Sequence, residues 1–304
     1  MKLVLNLQNL LPHFSIEEAA KLIADTDFDG ADYYLNDMID PACSYNTGDW
    51  VSQAECFKST FEAAGVPIVQ THAPFRFKGW DDPATYEEFI YPAIVRSVKI
   101  SAVMGANCVV VHPLHYWRYD GNEQEIFERN MDFYKSLIPV CKEYNIKVGI
   151  ENMFQRDKLR GNYIVRDVCS DATEFCRYID SLNSEYMVAC LDVGHVGLPH
   201  GHMEAWDYIR ILGHDRLQAL HIHDNDYLND QHRVPYSGKI DWNNVTKALG
   251  EIDYTGDFTY ECLFKHMANE LPNELYPAVL KFVSQVGRYL IDQIEVNRKP
   301  VVKA

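Results

Sequence analysis

Six histidine and carboxylate side chains recur along the chain at intervals of 40, 39, 41, 29 and 40 residues. They are His72, His112, Glu151, Asp192, His221 and Glu261. Carboxylate oxygens and imidazole nitrogens without a thiolate set indicate Zn²⁺, Mn²⁺, Co²⁺ or Mg²⁺. Each residue alone is more simply explained as a cap or a hydrogen-bonded core group. Several of them buried together without a cation would be unfavourable, so the joint pattern predicts a divalent metal site.

The stretch "HIHDNDYLNDQH" (residues 221–232) contains further side chains of the same types, among them His223, Asp230 and His232. Asp230 and His232 are predicted to reach back over the pocket, where they hold either additional metal or the substrate. For His223 we expect a contact with substrate, and a hydrogen-bonded structural role is the alternative.

Eight short apolar runs are predicted to form the strands that position these residues. They are "LVLNL", "GADYYL", "PIVQTH", "CVVVHP", "KVGIEN", "MVACLDVGH", "LQALHIHD" and "FTYEC". Longer stretches follow them, and in residues 127–144 apolar side chains recur at steps of three and four, as in an amphipathic helix. Doubly buried strands that alternate with such helices predict a parallel sheet. Eight units in 304 residues favour an α/β fold, a (β/α)8 TIM barrel, over an open doubly wound sheet.

The predicted barrel explains how residues so far apart could form one site. All six regularly spaced side chains lie at or near the carboxyl end of a predicted strand, and these ends converge on one face of a barrel. Because no Pro-, Gly- or Ser-rich linker divides the sequence, residues 1–304 are predicted to form a single domain.

The composition excludes several other classes of protein. The formal net charge of −16 argues against a nucleic-acid partner, since proteins that grip a duplex usually show a basic surface. No apolar run approaches the roughly 20 residues of a membrane span, and the amino terminus lacks the features of a secretory signal. Eight scattered cysteines fit a reducing compartment. We therefore expect a cytoplasmic protein that does not act on membranes.

Several motifs now carry a resemblance to a known family. In chain order, "THAPF", "VVVHP", "GIEN", "LDVGH", "HIHDND…DQH…GKIDW" and "YEC" resemble the xylose isomerase-like TIM-barrel superfamily, over roughly residues 68 to 262. This superfamily contains sugar and sugar-phosphate isomerases and epimerases, together with the trinuclear-zinc apurinic endonucleases.

The resemblance to the epimerase branch implies specific roles. One divalent metal would be held by Glu151, Asp192, His221 and Glu261. Glu151 and Glu261 would act as base and acid in a proton transfer through a metal-stabilised enediolate, and His195 would hydrogen-bond a substrate oxygen. The implied function is a metal-dependent isomerase or epimerase of a sugar or sugar phosphate.

The endonuclease branch is the alternative, because its larger ligand set is also present. That set is His72, His112, Glu151, Asp192, His195, His221, Asp230, His232 and Glu261, and three metals held there could hydrolyse a phosphodiester. The negative charge, the absence of a long basic loop and the form of "HIHDND…IDW" favour the sugar enzyme. The loops "RFKGW", "HYWR" and "QRDKLR" carry cations that could instead bind a phosphorylated sugar or a nucleic-acid strand.

Substrate contacts are expected from Arg76 and Trp80 in "RFKGW", from His223 and from Tyr236. Tyr236 stands where related sugar enzymes often have glycine, and because tyrosine adopts positive φ less readily, we expect a different turn there. Barrels of this kind often form homo-oligomers, and the sequence identifies no interface.

Overall fold

The eight predicted strands form one parallel sheet that curls into a barrel. The computed structural model describes residues 1–115, 117–199, 201, 203–266 and 271–298. The barrel strands are β1 (Leu3–Asn6), β2 (Gly30–Tyr34), β3 (Ile68–His72), β4 (Cys108–Val111), β5 (Lys147–Glu151), β8 (Met187–Asp192), β9 (Leu217–His221) and β10 (Phe258–Tyr260). Two further strands, β6 (Phe154–Asp157) and β7 (Tyr163–Arg166), form a separate antiparallel hairpin.

The strand order is β10-β1-β2-β3-β4-β5-β8-β9, and all neighbours in it are parallel. One more parallel bridge pairs Ile222, just beyond β9, with Tyr260 of β10. The backbone amide of Ile222 donates to the Thr259 carbonyl at 2.8 Å, so the last strands are joined as well. The prediction of a (β/α)8 TIM barrel is confirmed.

Helices surround the sheet in the described part of the chain. They are α1 (Ile16–Ala24), α2 (Ser44–Thr47), α3 (Trp50–Ala63), α4 (Pro83–Thr85), α5 (Tyr91–Met104), α6 (Glu123–Tyr144), α7 (Ala172–Leu182), α8 (Val193–Val196), α9 (Ala205–Arg216, with non-helical geometry at Gly213), α10 (Trp242–Glu251) and α11 (Tyr276–Asn297). The helix predicted over residues 127–144 is confirmed as part of α6. None of the helices in these ranges has the length and apolar character needed to cross a bilayer.

Local sequence explains where several elements begin. Ser15 and Glu18 form a reciprocal capping box at α1, and Asp171 and Asp241 accept backbone N–H bonds at the starts of α7 and α10. The prediction that residues 1–304 form one domain stays a prediction, because residues 299–304 lie outside the described ranges.

The inside of the barrel contains a small apolar cluster, distinct from the core between sheet and helices. Its members are Cys108, Val110, Val188, Cys190 and Ala219. Gly149 of β5 completes this layer, since a Cβ placed there would lie 3.1 Å from the sulfur of Cys108. The layer forms a packed floor directly beneath the carboxyl ends of the strands.

Candidate metal centre

Strand alternation brings the ligand-type side chains to the carboxyl end of the barrel. On β8, Val188 and Cys190 belong to the apolar floor, so Asp192, two residues further on, points inward above them. The same step of two leads from Gly149 to Glu151 on β5 and from Ala219 to His221 on β9. Residues nearly 200 positions apart thus meet in one layer. Three groups of potential ligands result, in each of which the ligand atoms lie within 4.8 Å of one another.

The first group contains His72, His112 and Glu151. The Nε2 atoms of His72 and His112 lie 3.4 and 3.0 Å from Oε2 of Glu151. His72 donates from Nδ1 to the carbonyl of Ala73 at 2.7 Å, which turns Nε2 toward the carboxylate. Burial lowers the pKa of His112 to about 3, so its imidazole is neutral and suited to bind a metal.

The second group contains Glu151, Asp192, His221 and Glu261. His221 lies between two carboxylates, with Nδ1 at 3.2 Å from Oε1 of Glu151 and 3.3 Å from Oε2 of Glu261. Because Oε2 of Glu151 faces the first group and Oε1 faces the second, this carboxylate is shared by both. Tyr34 donates from its hydroxyl to Oε1 of Glu261 at 2.5 Å and so fixes that side chain.

The third group contains His195, His223, Asp230 and His232. The Nε2 atoms of His195, His223 and His232 lie 3.9, 3.7 and 3.0 Å from the Asp230 carboxylate. The rings of His223 and His232 stack with centroids 4.1 Å apart. Asp192 connects this group to the second, since its Oδ1 lies 3.0 Å from Nε2 of His223.

Backbone carbonyls orient two rings of the third group. His195 and His232 donate from Nδ1 to the carbonyls of Asn152 and Glu261, each at 2.8 Å. Their Nε2 atoms therefore face the cluster, as in protein metal sites where the outer hydrogen bond selects the tautomer.

Buried atoms without hydrogen-bond partners show that the cluster fits a cation. Among the described residues, these atoms include Oε2 of Glu151, Oε2 of Glu261, Oδ1 of Asp230 and Nε2 of His221. Orphaned carboxylate oxygens inside a protein are costly, and a divalent ion would satisfy several at once. The donor set of imidazole and carboxylate suits the metals expected from the sequence.

The pKa shifts of His221 and Asp230 also indicate that the cluster stabilises positive charge. Burial acts to lower the pKa of His221, but Glu261 and Glu151 outweigh it and raise the pKa to about 10. Burial acts to raise the pKa of Asp230, but the hydrogen bond from His232 and the charge of His195 reduce it to about 2. A bound cation would replace the proton that His221 holds, because metal ligands must be deprotonated.

The residues expected to contact substrate fall in different places. The guanidinium of Arg76 lies 5.3 Å from the ring centre of Phe75, whose ring is 4.3 Å from that of His112, so Arg76 stands at the rim of the cluster. His223 lies inside the third ligand group. Trp80 packs with the rings of Phe77 and Tyr86, at 5.7 and 6.0 Å, and its contact with substrate stays a prediction.

The backbone of Tyr236 differs from the sequence-based expectation. It adopts φ of +71°, so the turn keeps the left-handed conformation that we expected tyrosine to avoid. Its ring is half-exposed and lies 6.3 Å from that of Tyr289 on α11, and its contact with substrate stays a prediction.

Sequence reasoning missed several residues of the site and one supersecondary element. Tyr34 follows Asp32 by two residues on β2, and this alternation could have identified it as facing inward. Asn152, in "GIEN", donates from Nδ2 to the carbonyl of Asp192 at 3.0 Å and accepts at Oδ1 from its backbone amide at 2.8 Å. The segment "QRDKLR", expected to be a loop, instead lies in the β6–β7 hairpin, whose first strand, "FQRD", is too polar to give an apolar run. In the other basic loop, Tyr116 lies outside the described residues.

The match to a family model decides the relationship of this chain to known proteins. Residues 17–284 match the model described as xylose isomerase-like TIM barrel. The chain belongs to this family. Two curated relatives illustrate the similarity: the uncharacterised protein y4fM of Sinorhizobium fredii, 27% identical over 54% of the chain, and the D-psicose 3-epimerase of Enterocloster bolteae, 27% identical over 46% of it. The chain aligns with only 50% and 43% of the lengths of these two family members.

Solved structures with the same fold cover nearly all of the chain. A D-tagatose 3-epimerase-like protein gives a TM-score of 0.70 at 18% identity, covering 98% of each chain. D-psicose 3-epimerase in the presence of D-fructose gives 0.71 at 15% identity, covering 96% of this chain and 99% of its own. The IOLI protein, crystallised with a bound zinc atom, gives 0.68 at 17% identity, covering 98% and 99%. At these identities the likeness establishes the family's fold.

Proposed function

We propose that the protein is a divalent-metal-dependent isomerase or epimerase of a sugar or sugar derivative. The observation that carries the proposal is the pair of carboxylates, Glu151 and Glu261, that flank His221 at 3.2 and 3.3 Å. Epimerisation removes a proton from one side of a carbon and returns one to the other, for which two such groups on the two sides of a substrate, held near a cation, are suited. The relatives named as sugar epimerases support the same class of reaction.

In this proposal, Glu151, Asp192, His221 and Glu261 hold one metal ion. When bound, the ion supplies Lewis acidity, which polarises a substrate carbonyl and lowers the pKa of the neighbouring C–H bond. One of the two glutamates takes the proton from carbon, and the other returns a proton from the opposite side. Tyr34 fixes Glu261 through its hydroxyl, and His195 presents Nε2 to a substrate oxygen.

Solvent exchange tests this proposal directly. In D₂O, the metal-loaded protein should incorporate deuterium at the reacting carbon of a substrate found in a panel of ketoses and aldoses. Glu261→Gln should slow exchange by about 10²- to 10⁴-fold, because a positioned acid or base contributes that much. Tyr34→Phe is the matched control, since it removes one hydrogen bond and keeps the carboxylate. Full activity in a Glu151→Gln/Glu261→Gln double variant would contradict the proposal.

A trinuclear phosphodiester hydrolase is the second candidate, and the three connected ligand groups favour it. Glu151 presents one oxygen to each of two groups, and Asp192 connects to the third, so the arrangement has room for more than one ion. Clustered metals activate water and neutralise a phosphate. If this candidate is right, elemental analysis should find about three zinc ions per chain, and the protein should nick abasic DNA.

Asp230→Asn separates the two candidates. It changes only the third group, so the epimerase proposal expects one metal to remain bound at the second group and solvent exchange to continue. The hydrolase alternative expects a metal ion to be lost together with most of the nicking activity.

A further inference from the structure

We propose that a pocket beside the metal centre binds an anionic substituent of the substrate, a phosphate or a carboxylate. The pocket lies between the loop after β4 and the β6–β7 hairpin and has a volume of about 500 Å³. The identity of the ligand as part of a sugar substrate rests on the proposed function, whereas anion binding itself does not.

The pocket is next to the ligand cluster. Its wall includes His115 and Phe154. The ring of His115 lies 5.8 Å from that of His112, and the ring of Phe154 lies 4.9 Å from that of His195. A substrate that reaches the first or third ligand group could therefore extend into the pocket with its remaining substituent.

Three cations face this one pocket without a carboxylate partner among the described residues. Arg118, Arg156 and Lys158 line it, and among the described residues none of the three has a carboxylate within 4.0 Å of its cationic nitrogens. Arg166, which lines the same pocket, is by contrast paired with both Asp120 and Glu123 at 2.5 Å. Arg156 donates from Nη1 to the Asn162 carbonyl at 3.4 Å, which leaves its charge without a counter-ion. In a chain of formal charge −16, three cations around one cavity without a described carboxylate partner favour an external anion.

The pocket is also built from fixed parts. Gln155 donates from Nε2 to the carbonyls of His115 and Trp117 at 2.7 and 2.6 Å, which ties the hairpin to the loop after β4. His115 donates from Nδ1 to the fully buried Asp167 at 2.8 Å, so its ring has a defined orientation in the wall. A preorganised cavity of this kind reduces the ordering entropy lost when a ligand binds.

The chemistry of the walls indicates the class of ligand. Trp117, Tyr119 and Phe154 contribute aromatic surface beside the cations. Guanidinium groups bind phosphate and carboxylate through paired N–H bonds, and aromatic rings pack against the apolar faces of a sugar. A sugar phosphate or a sugar acid satisfies both features. A nucleic-acid strand would also find stacking surface and cations, but the net charge of the chain opposes it.

Binding of inorganic phosphate, measured by titration calorimetry at low salt and constant metal content, tests the inference. A pocket variant carries Arg118→Gln, Arg156→Gln and Lys158→Gln. A matched control carries Lys21→Gln, Lys135→Gln and Lys142→Gln, which removes the same charge from exposed helix positions. The Kd for phosphate should rise about tenfold or more in the pocket variant and less than about twofold in the control. Equal values in the two variants, or no binding by the parent protein, would overturn the inference.

Further arms of the experiment distinguish the sources of the anion. Acetate that binds with the same dependence on the pocket cations indicates a carboxylate, and binding of phosphate alone indicates a phosphate ester. A short single-stranded oligothymidylate that binds far more tightly than phosphate, and whose binding is lost in the pocket variant, would overturn the inference in favour of a nucleic-acid groove.

If sugars are not turned over but the phosphate pattern holds, only the proposed function fails. If sugars are turned over and both variants bind phosphate equally, only this inference fails.

Discussion

Two adjacent layers inside the barrel are both largely buried but differ in chemistry. The lower layer, made of Cys108, Val110, Val188, Cys190 and Ala219, is apolar and closely packed. The upper layer begins two residues further along the same strands and contains the histidines and carboxylates of the ligand groups. On these strands, a step of two residues therefore separates side chains whose packing stabilises the barrel from polar side chains whose burial opposes folding.

The hydrogen bonds of the two layers sharpen this difference. The upper layer keeps orphaned buried atoms, such as Oε2 of Glu151 and Oε2 of Glu261, whereas the side chains of the lower layer have few polar atoms to satisfy. Burial alone thus does not define a functional site. What marks the upper layer is burial combined with unsatisfied, oppositely charged groups that a cation can complete.

Removing metal should have the largest effect on stability, because only the upper layer depends on it. If ions are present at about 100 times their Kd, chelation should lower the free energy of unfolding by about 3 kcal/mol, and the melting temperature should fall by several degrees. Differential scanning calorimetry with and without a chelator measures this.

A variant of the lower layer serves as the control for chelation. Val188→Ala should lower the melting temperature by the same amount in both metal states, because its effect is a cavity in the floor. A protein whose melting temperature is insensitive to chelation would show that the two layers do not differ in the proposed way.

The fold could be predicted because its determinants are local. Each barrel strand is a short apolar run, and the helices between them carry the period of 3.6 residues. The convergence of His72, Glu151, Asp192 and His221 followed from placing them at strand ends, since the geometry of a barrel is largely independent of its loops. The structure brings these residues together, and their binding of metal remains our proposal.

The parts of the site that depend on loops and packing could not be predicted in the same way. The neighbours of Trp80 and Tyr236 depend on the space left between helices, and the spacing of residues in the sequence does not predict that space. The hairpin of β6 and β7 pairs two segments of only four residues each, "FQRD" and "YIVR", which are too short for periodicity to give a signal. Asp230 and His232 were expected to reach back over the pocket, but their grouping with His195 and His223 required the path of the loop.

Overfilling the lower layer should have an intermediate effect. A Cβ at Gly149 would lie 3.1 Å from both the sulfur of Cys108 and the Cβ of Cys190, so Gly149→Val should lower the free energy of unfolding by about 1–3 kcal/mol. Urea unfolding measures the change.

A second substitution shows whether the loss arises from this contact. Cys108→Ala removes the sulfur that the new side chain meets, so the double variant should recover part of the stability lost in Gly149→Val. Additive losses in the double variant would mean that the floor is not the tightly packed layer described here.

A pH-dependent effect is expected from Asp32, an inward-facing carboxylate of β2 below Tyr34. Its Oδ2 accepts from Asn6 at 2.7 Å, and burial raises its pKa from 3.8 to about 6, although His221 acts in the opposite direction. The folded state therefore holds this proton more tightly than the unfolded state does. The contribution of Asp32 to the free energy of unfolding should fall as pH rises from about 4 to about 6.

Asp32→Asn mimics the protonated acid at every pH and so isolates this contribution. In chelated protein, the variant should be more stable than the parent by about 3 kcal/mol at about pH 7, with most of the gain lost near pH 4. Urea titrations of both proteins across this range measure the difference, in which the other titrating groups cancel. A gain that is the same at both pH values would mean that Asp32 binds its proton equally well in the folded and unfolded states, and would contradict the effect of burial on its pKa.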